Sequence, residues 1–206
     1  ERLDTEYQKL SSQLAQKASN SRVDNLIINA IEKSPENFSS VFIFTTVEGA
    51  IRAIGASEDS KNTFNGNPTI KLTAGTNNAD FRVDLGREID FSKSKYVGLF
   101  LKAPDLNTVS AVQIEFATDD AFQNAHMIYQ IKDLIGEPDA SGWSIVKVPR
   151  DAISLTRGTP DWKRMRYFKI VVTSDSATEL NISSLLNWHP VPVNPEILDS
   201  RKGVDG

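Results

Sequence analysis

Apolar and polar positions along the chain change period once, near residue 34, and that change divides the sequence. Over residues 1–33 the apolar residues recur at helical spacing. Leu3, Tyr7, Leu10 and Leu14 follow a 4-3-4 pattern, and Glu6, Gln8, Lys9, Gln13, Gln16 and Lys17 fill the other faces. The seam breaks at Ser19-Asn20-Ser21 and restarts with Val23, Ile27 and Ala30. Two heptads on either side of a break are too short to be stable alone, so the stripe packs on something. It is either an amphipathic helix lying on its own domain or a short parallel coiled coil between identical chains. The narrow seam and polar flanks favour the coiled coil.

Ser34-Pro35-Glu36-Asn37 ends the helix, because proline disfavours helix at the preceding residue. From Phe38 the period becomes two. Phe38–Thr46 is β-rich, and Val47–Ser57 reads as a weaker strand pair or an extended entry arm. Glu58–Asn67 is polar and ends in the turn pair Asn65-Gly66. Thr69–Thr73 alternates. In Ala79–Leu85, Phe81, Val83 and Leu85 face in, while Asp80, Arg82 and Asp84 face out. Tyr96–Leu101 follows, then Val112, Ile114 and Phe116 on one face opposite Gln113 and Glu115. Met127, Tyr129 and Ile131 alternate as a core row. Trp143–Val148 is a strand stopped by Pro149, and Asp151–Arg157 reads as a short helix or turn. Phe168, Ile170 and Val172 face in, and Leu180 and Ile182 begin a last strand ending near Trp188.

Nine or ten short strands at this turn spacing predict a mainly β fold, an antiparallel β-sandwich. Helical crossovers are missing, which argues against a parallel α/β sheet. The predicted organisation is a coiled-coil stalk over 1–33, a sandwich over 38–189, and a linker with the start of a following module over 190–206. Pro190, Pro192 and Pro195 make that linker stiff.

Totals narrow the function classes. A net charge of −4 and a pI near 5.3 lack the basic stripe of a nucleic-acid binder. The 206 residues contain no cysteine, so disulfides, thiol nucleophiles and zinc–thiolate sites are out. No apolar run nears the length of a membrane span, and no membrane partner is expected. The chain opens on Glu1 without Met and stops at Gly206 in mid-pattern, and reads as part of something longer.

The densest polar cluster is Asp119, Asp120, Phe122, Gln123 and His126, between two strands. Carboxylates beside a histidine suit acid–base work or sugar hydroxyls, and an aromatic face suits the C–H face of a sugar. The plain alternative is a solvated connection. Trp143 and Trp162 each enter a strand after a turn, where burial is the commoner fate, and Trp188 is expected to close the bottom of the sandwich. A triad would have to use His126 or His189. Neither a G-x-S-x-G elbow nor an H-E-x-x-H helix occurs, so no enzyme is expected.

Two stretches resemble known families. Asn65–Thr73, Phe81–Leu106, Gly142–Ala152 and Thr159–Val172 follow the order of signals in jelly-roll carbohydrate-binding modules. Lys17–Ile27 and Asn194–Gly206 resemble inter-module connectors of tail fibre and baseplate proteins from phages of Gram-positive bacteria. Together they imply a virion tail component, homotrimeric through its helix. Its β module would touch host cell-wall polysaccharide or teichoic acid, alongside other tail and baseplate proteins. The alternatives are a carbohydrate-binding module of a secreted bacterial enzyme, hence extracellular, and a spacer that binds nothing. No cofactor is implied. Jelly-roll modules often hold calcium between an acidic residue near the first strand and an Asp on the last. Glu48 fits the first place, but Asn181–Leu185 offers hydroxyls instead of acids, so no metal is expected.

Overall fold

A computed structural model describes residues 5–14 and 38–188. Residues 5–14 are helical, and Tyr7, Leu10 and Leu14 are all exposed on that helix. The other seam residues, Leu3, Val23, Ile27 and Ala30, lie outside the described residues, as does the linker after Trp188. Helix and sandwich belong to separate compact units. Among the described residues no helix is long and apolar enough to cross a membrane.

The sandwich contains twelve strands among the described residues: β1 (Phe38–Ile43), β2 (Arg52–Ile54), β3 (Ala56–Phe64), β4 (Asn67–Ala74), β5 (Ala79–Ile89), β6 (Tyr96–Lys102), β7 (Ala111–Ala117), β8 (Ala125–Ile128), β9 (Trp143–Pro149), β10 (Leu155–Arg157), β11 (Met165–Thr173) and β12 (Thr178–Trp188). All named pairings are antiparallel. The first sheet runs β3-β4-β12-β6-β9 and the second β10-β8-β7-β11-β5-β2. β12 organises the first sheet. One side of it pairs with β6. The other side pairs with β4 over Thr178–Ile182 and with β1 over Ser184–Trp188, so two strands share one edge end to end. A register shift between Ile182 and Leu185 marks the handover.

The core lies between the sheets and follows the period-two pattern. Ile70, Leu72, Phe81, Val83, Val97, Leu99, Leu101, Ile114, Phe116, Val146, Phe168, Ile170, Leu180 and Ile182 are all buried in it. Asn65 and Gly66 both take positive φ (49° and 79°), the primed geometry a two-residue hairpin needs.

Several expectations change. Ala56–Phe64 is an edge strand rather than a polar connection; an edge strand tolerates outward polar side chains on every other position. Leu155–Arg157 is also an edge strand, preceded by a 3-10 turn at Arg150–Ala152. Tyr129 is 55 % exposed and not a core residue, because β8 ends at Ile128 and the alternation stops there. Glu115 points away from the core yet is fully buried. Lys169 Nζ lies 2.5 Å and Arg157 Nη1 3.1 Å from its carboxylate, which explains how a charge tolerates that position. Trp188 is buried, but on the outer face of the first sheet and not under the core, paired in register with Tyr96 and Phe38; the linker it was expected to close against lies outside the described residues.

Candidate functional site

In β6 the core takes Val97, Leu99 and Leu101, which leaves Tyr96, Gly98, Phe100 and Lys102 on the opposite face. In β9 it takes Val146 and Val148, which leaves Trp143, Ile145 and Lys147 outward. β1 and β12 add Phe38 and Trp188. The outer face of the first sheet is therefore aromatic, and its rings touch in series. Tyr96 meets Trp188 at 6.4 Å between centroids, Trp188 meets Phe38 at 5.3 Å, and Phe38 meets Phe100 at 5.7 Å. Phe64 then packs on Phe100 at 4.4 Å and on Trp143 at 5.1 Å. Lys147 Nζ stands 4.2 Å from the Tyr96 ring centre, a cation–π distance.

Two devices hold this face. Trp188 lies over Gly98. A Cβ there would come within 3.1 Å of the indole and would run into the Val146 carbonyl, so only glycine lets the ring lie so low. The second device is the β3–β4 hairpin. Its Phe64 reaches across to β6 and β9. Asp59 Oδ1 accepts from the backbone N–H of Lys61 (2.9 Å) and Asn62 (3.2 Å). Its Oδ2 accepts from the amides of Asn62 (2.8 Å) and of Asn181 on β12 (2.9 Å). Thr69 Oγ1 donates to Asn62 O at 2.5 Å. These bonds, that of Asn62 foremost, hold the Asp59 carboxyl far below the usual carboxylate range against the opposing effect of burial.

Beside Phe64 opens a groove of about 260 Å³, floored by Phe100, Trp143 and Ile145 and walled by Glu137, Pro138 and Asp139. The wall is tied to β9. Asp139 Oδ1 accepts from Ser141 N (2.8 Å) and Trp143 N (3.0 Å), Asp139 N donates to Trp143 O (2.8 Å), and Gly136 N donates to Ile145 O (3.0 Å). Glu137 is exposed on the rim. An apolar floor with carboxylates at its edge can pack against C–H faces while accepting hydrogen bonds from hydroxyls.

Of the five residues expected to form a contact surface, Asp119, Asp120, Phe122 and Gln123 share the β7–β8 connection and His126 lies in β8, and they play different parts. Asp119 is used by the connection itself, accepting from Gln123 N (3.0 Å) and Asn124 N (2.7 Å). The backbone bonds lower its pKa although burial, the largest influence, opposes them. Phe122 contradicts the expectation. Its φ of +56° turns the ring inward onto Ala117, Ala125 and Tyr167 and leaves it 1 % exposed, with Arg82 and Lys169 nearby. It therefore offers no face to a ligand. His126 pairs with Phe116 on the core side and stacks on half-buried Trp162 at 4.2 Å and 4°. Burial and the Arg150 charge lower its pKa, opposed by Asp161. Asp120 and Gln123 are exposed. Trp143 is buried as expected, yet it still lines the groove.

Asn181 directs its amide N–H groups at Asp59 and at Thr69 Oγ1 (3.1 Å), which fills that part of β12 with donors. Among the described residues no group of three or more His, Cys, Asp or Glu could hold a metal ion.

No protein-family model matches the chain, and no curated protein sequence matches it. Solved structures do. The family 30 carbohydrate-binding module of a cellulosomal cellulase from Clostridium thermocellum superposes with a TM-score of 0.50 at 16 % identity, over 74 % of this chain and 93 % of that one. The likeness is one of fold. Another family 30 carbohydrate-binding module gives 0.48 at 16 % identity, covering 72 % of this chain and 82 % of that one. A family 11 module from Clostridium thermocellum, in complex with a β-1,3-1,4-mixed-linked tetrasaccharide, gives 0.43 at 11 %, covering 76 % and 91 %. The sandwich thus has the jelly-roll fold of carbohydrate-binding modules, as expected from the order of its strand signals.

Proposed function

We propose that this chain carries a carbohydrate-binding module, not an enzyme, and that it takes a polysaccharide segment in the groove of the first sheet. The observation that carries the reading is the aromatic outer face, with Phe100, Trp143 and Ile145 as floor and Glu137 and Asp139 at the rim. Rings offer contact area to sugar C–H faces, and rim carboxylates accept from hydroxyls. The shared fold with carbohydrate-binding modules supports the ligand class. An extracellular module of a secreted bacterial enzyme is the setting this favours. Retention on insoluble polysaccharides, cellulose, mannan and host-type cell walls among them, tests it. Ile145→Glu places a charge on the floor and should abolish retention with an unchanged melting temperature. No retention of the unaltered protein on any of them sinks the reading. Asp120 and Gln123 are a second candidate contact, and their double alanine variant belongs in the same assay.

One observation favours a second setting. Tyr7, Leu10 and Leu14 expose an apolar stripe at heptad spacing, 64–75 % accessible in the single chain. We infer that this helix joins identical chains, most simply as a trimer, as in a phage tail fibre or baseplate component that presents the module to wall polysaccharide or teichoic acid. Weak single sites would then act together. Sedimentation equilibrium decides: a stable monomer, or an oligomer unaffected by removal of residues 1–33, removes this setting and leaves the module reading intact.

A further inference from the structure

The aromatic series on the first sheet is not one open platform, because Phe64 interrupts it. Its ring packs at 4.4 Å and 33° on Phe100 and nearly edge-on against Trp143, so it takes stacking surface on the two rings that floor the groove. Beyond it the ring contacts continue from Phe100 to half-buried Phe38, then to Trp188, which is itself buried, and to half-buried Tyr96. We infer that Phe64 is a specificity-determining residue: it does not line the groove itself, but it covers part of Phe100 and Trp143 and so limits how many sugar rings a bound chain can lay on this face. This rests on the carbohydrate reading of the groove.

Phe64 is placed by construction. Between two register points, Asp59 opposite Thr69 and Phe64 opposite Asn67, β3 advances five residues while β4 goes back two. The surplus residues loop out and are tied down by the Asp59 carboxylate, by Thr69 Oγ1 on Asn62 O, and by Asn181 from β12. The Asn65-Gly66 turn fixes the far end. A surface loop held only to keep a hairpin closed would not need an anchor on β12, two strands in. The anchor is explained if the position of the Phe64 ring over β6 and β9 matters. A ring held this way acts as a fixed end wall and not as a lid.

Two length series test it, cello-oligosaccharides and manno-oligosaccharides from dimer to hexamer, titrated calorimetrically into the unaltered protein, Phe64→Ala and Asn181→Ala. With the wall present, affinity stops rising at a short length. Phe64→Ala bares more of Phe100 and Trp143 and joins the groove to half-buried Phe38. The length at which affinity saturates should then grow by at least one sugar, with a gain of about 3- to 10-fold for the longest ligand, the scale of one added aromatic contact. Asn181→Ala loosens the anchor and should move the same way by less. The indole N–H signals of the free proteins provide a second readout. Phe64→Ala should shift that of Trp143 and leave that of Trp162 in place. If the unaltered protein binds and Phe64→Ala saturates at the same length, or weakens all lengths equally, the wall is refuted while the groove stands. If neither binds any member of either series, both readings fall. Binding by Phe64→Ala alone supports the wall in its strongest form.

Discussion

Replacing Asp59 by asparagine alters almost no volume, yet it should be among the most damaging single changes on the outer face. Each carboxylate oxygen accepts two hydrogen bonds, Oδ1 from two backbone N–H groups and Oδ2 from the amides of Asn62 and Asn181. An asparagine side chain can accept at only one of the two places. Whichever way it is turned, two donors then face an N–H₂ group. Hydrogen bonds to a charged group are worth about 1.5–3 kcal/mol each, and leaving donors unsatisfied adds to the loss. Asp59→Asn should therefore cost about 3 kcal/mol or more in urea unfolding at pH 7. The pH dependence provides a second check. The folded-state pKa of Asp59 lies far below its unfolded value, so its contribution is complete above about pH 4. It is lost as pH falls through the folded value. The gap between the two proteins should hold from pH 7 to 5 and narrow progressively below pH 4. A variant within about 0.5 kcal/mol of the unaltered protein at pH 7 would refute the network's role, as would a gap that stays constant down to pH 2.

Gly98→Ala should lower stability by about 3 kcal/mol, at the upper end of overpacking costs, because the added carbon meets backbone at Val146 as well as the Trp188 ring; urea unfolding reads it, and a neutral result would mean the strand can shift. Glu115→Ala leaves Lys169 and Arg157 without their buried partner and should cost about 3–5 kcal/mol by the same measurement. His126 is lowered in the fold by burial and Arg150, with Asp161 opposing, so the unfolded chain takes up a proton first as pH falls through about 6.5. The melting temperature should drop between pH 7.5 and 5.5, and His126→Phe, which can keep the stack on Trp162, should flatten that limb; an unchanged slope would count against it.

The sandwich was legible because most of its core strands are period two. Phe81, Val83 and Leu85, or Phe168, Ile170 and Val172, announce both strand and inward face. The site was harder to read because the same strands carry large residues on the other phase as well. Tyr96 and Phe100 interleave with Val97, Leu99 and Leu101, and Trp143 and Ile145 with Val146 and Val148. In an antiparallel sheet with one solvated face, such out-of-phase aromatics are the signal of a second apolar surface. At Phe122 and Tyr129 the cause is local. Phe122 sits in a polar connection but takes positive φ, which no residue type at that place advertises. Tyr129 follows the alternation in number, but the ladder has ended before it. Nor could spacing along the chain reveal Phe64's contacts, since they depend on the strand order that brings β3 and β9 into one sheet.

The proposed sugar site in the groove beside Trp143 can be probed by following the three tryptophan indole signals during titration with soluble cello- and manno-oligosaccharides and mixed-linkage glucan fragments. Saturable movement of the Trp143 signal is expected with at least one of them, while Trp162, stacked under His126 on the core side, stays still. A ligand that binds and leaves Trp143 unmoved while shifting the amides of Asp120 and Gln123 would contradict it, as would no binding across all three series.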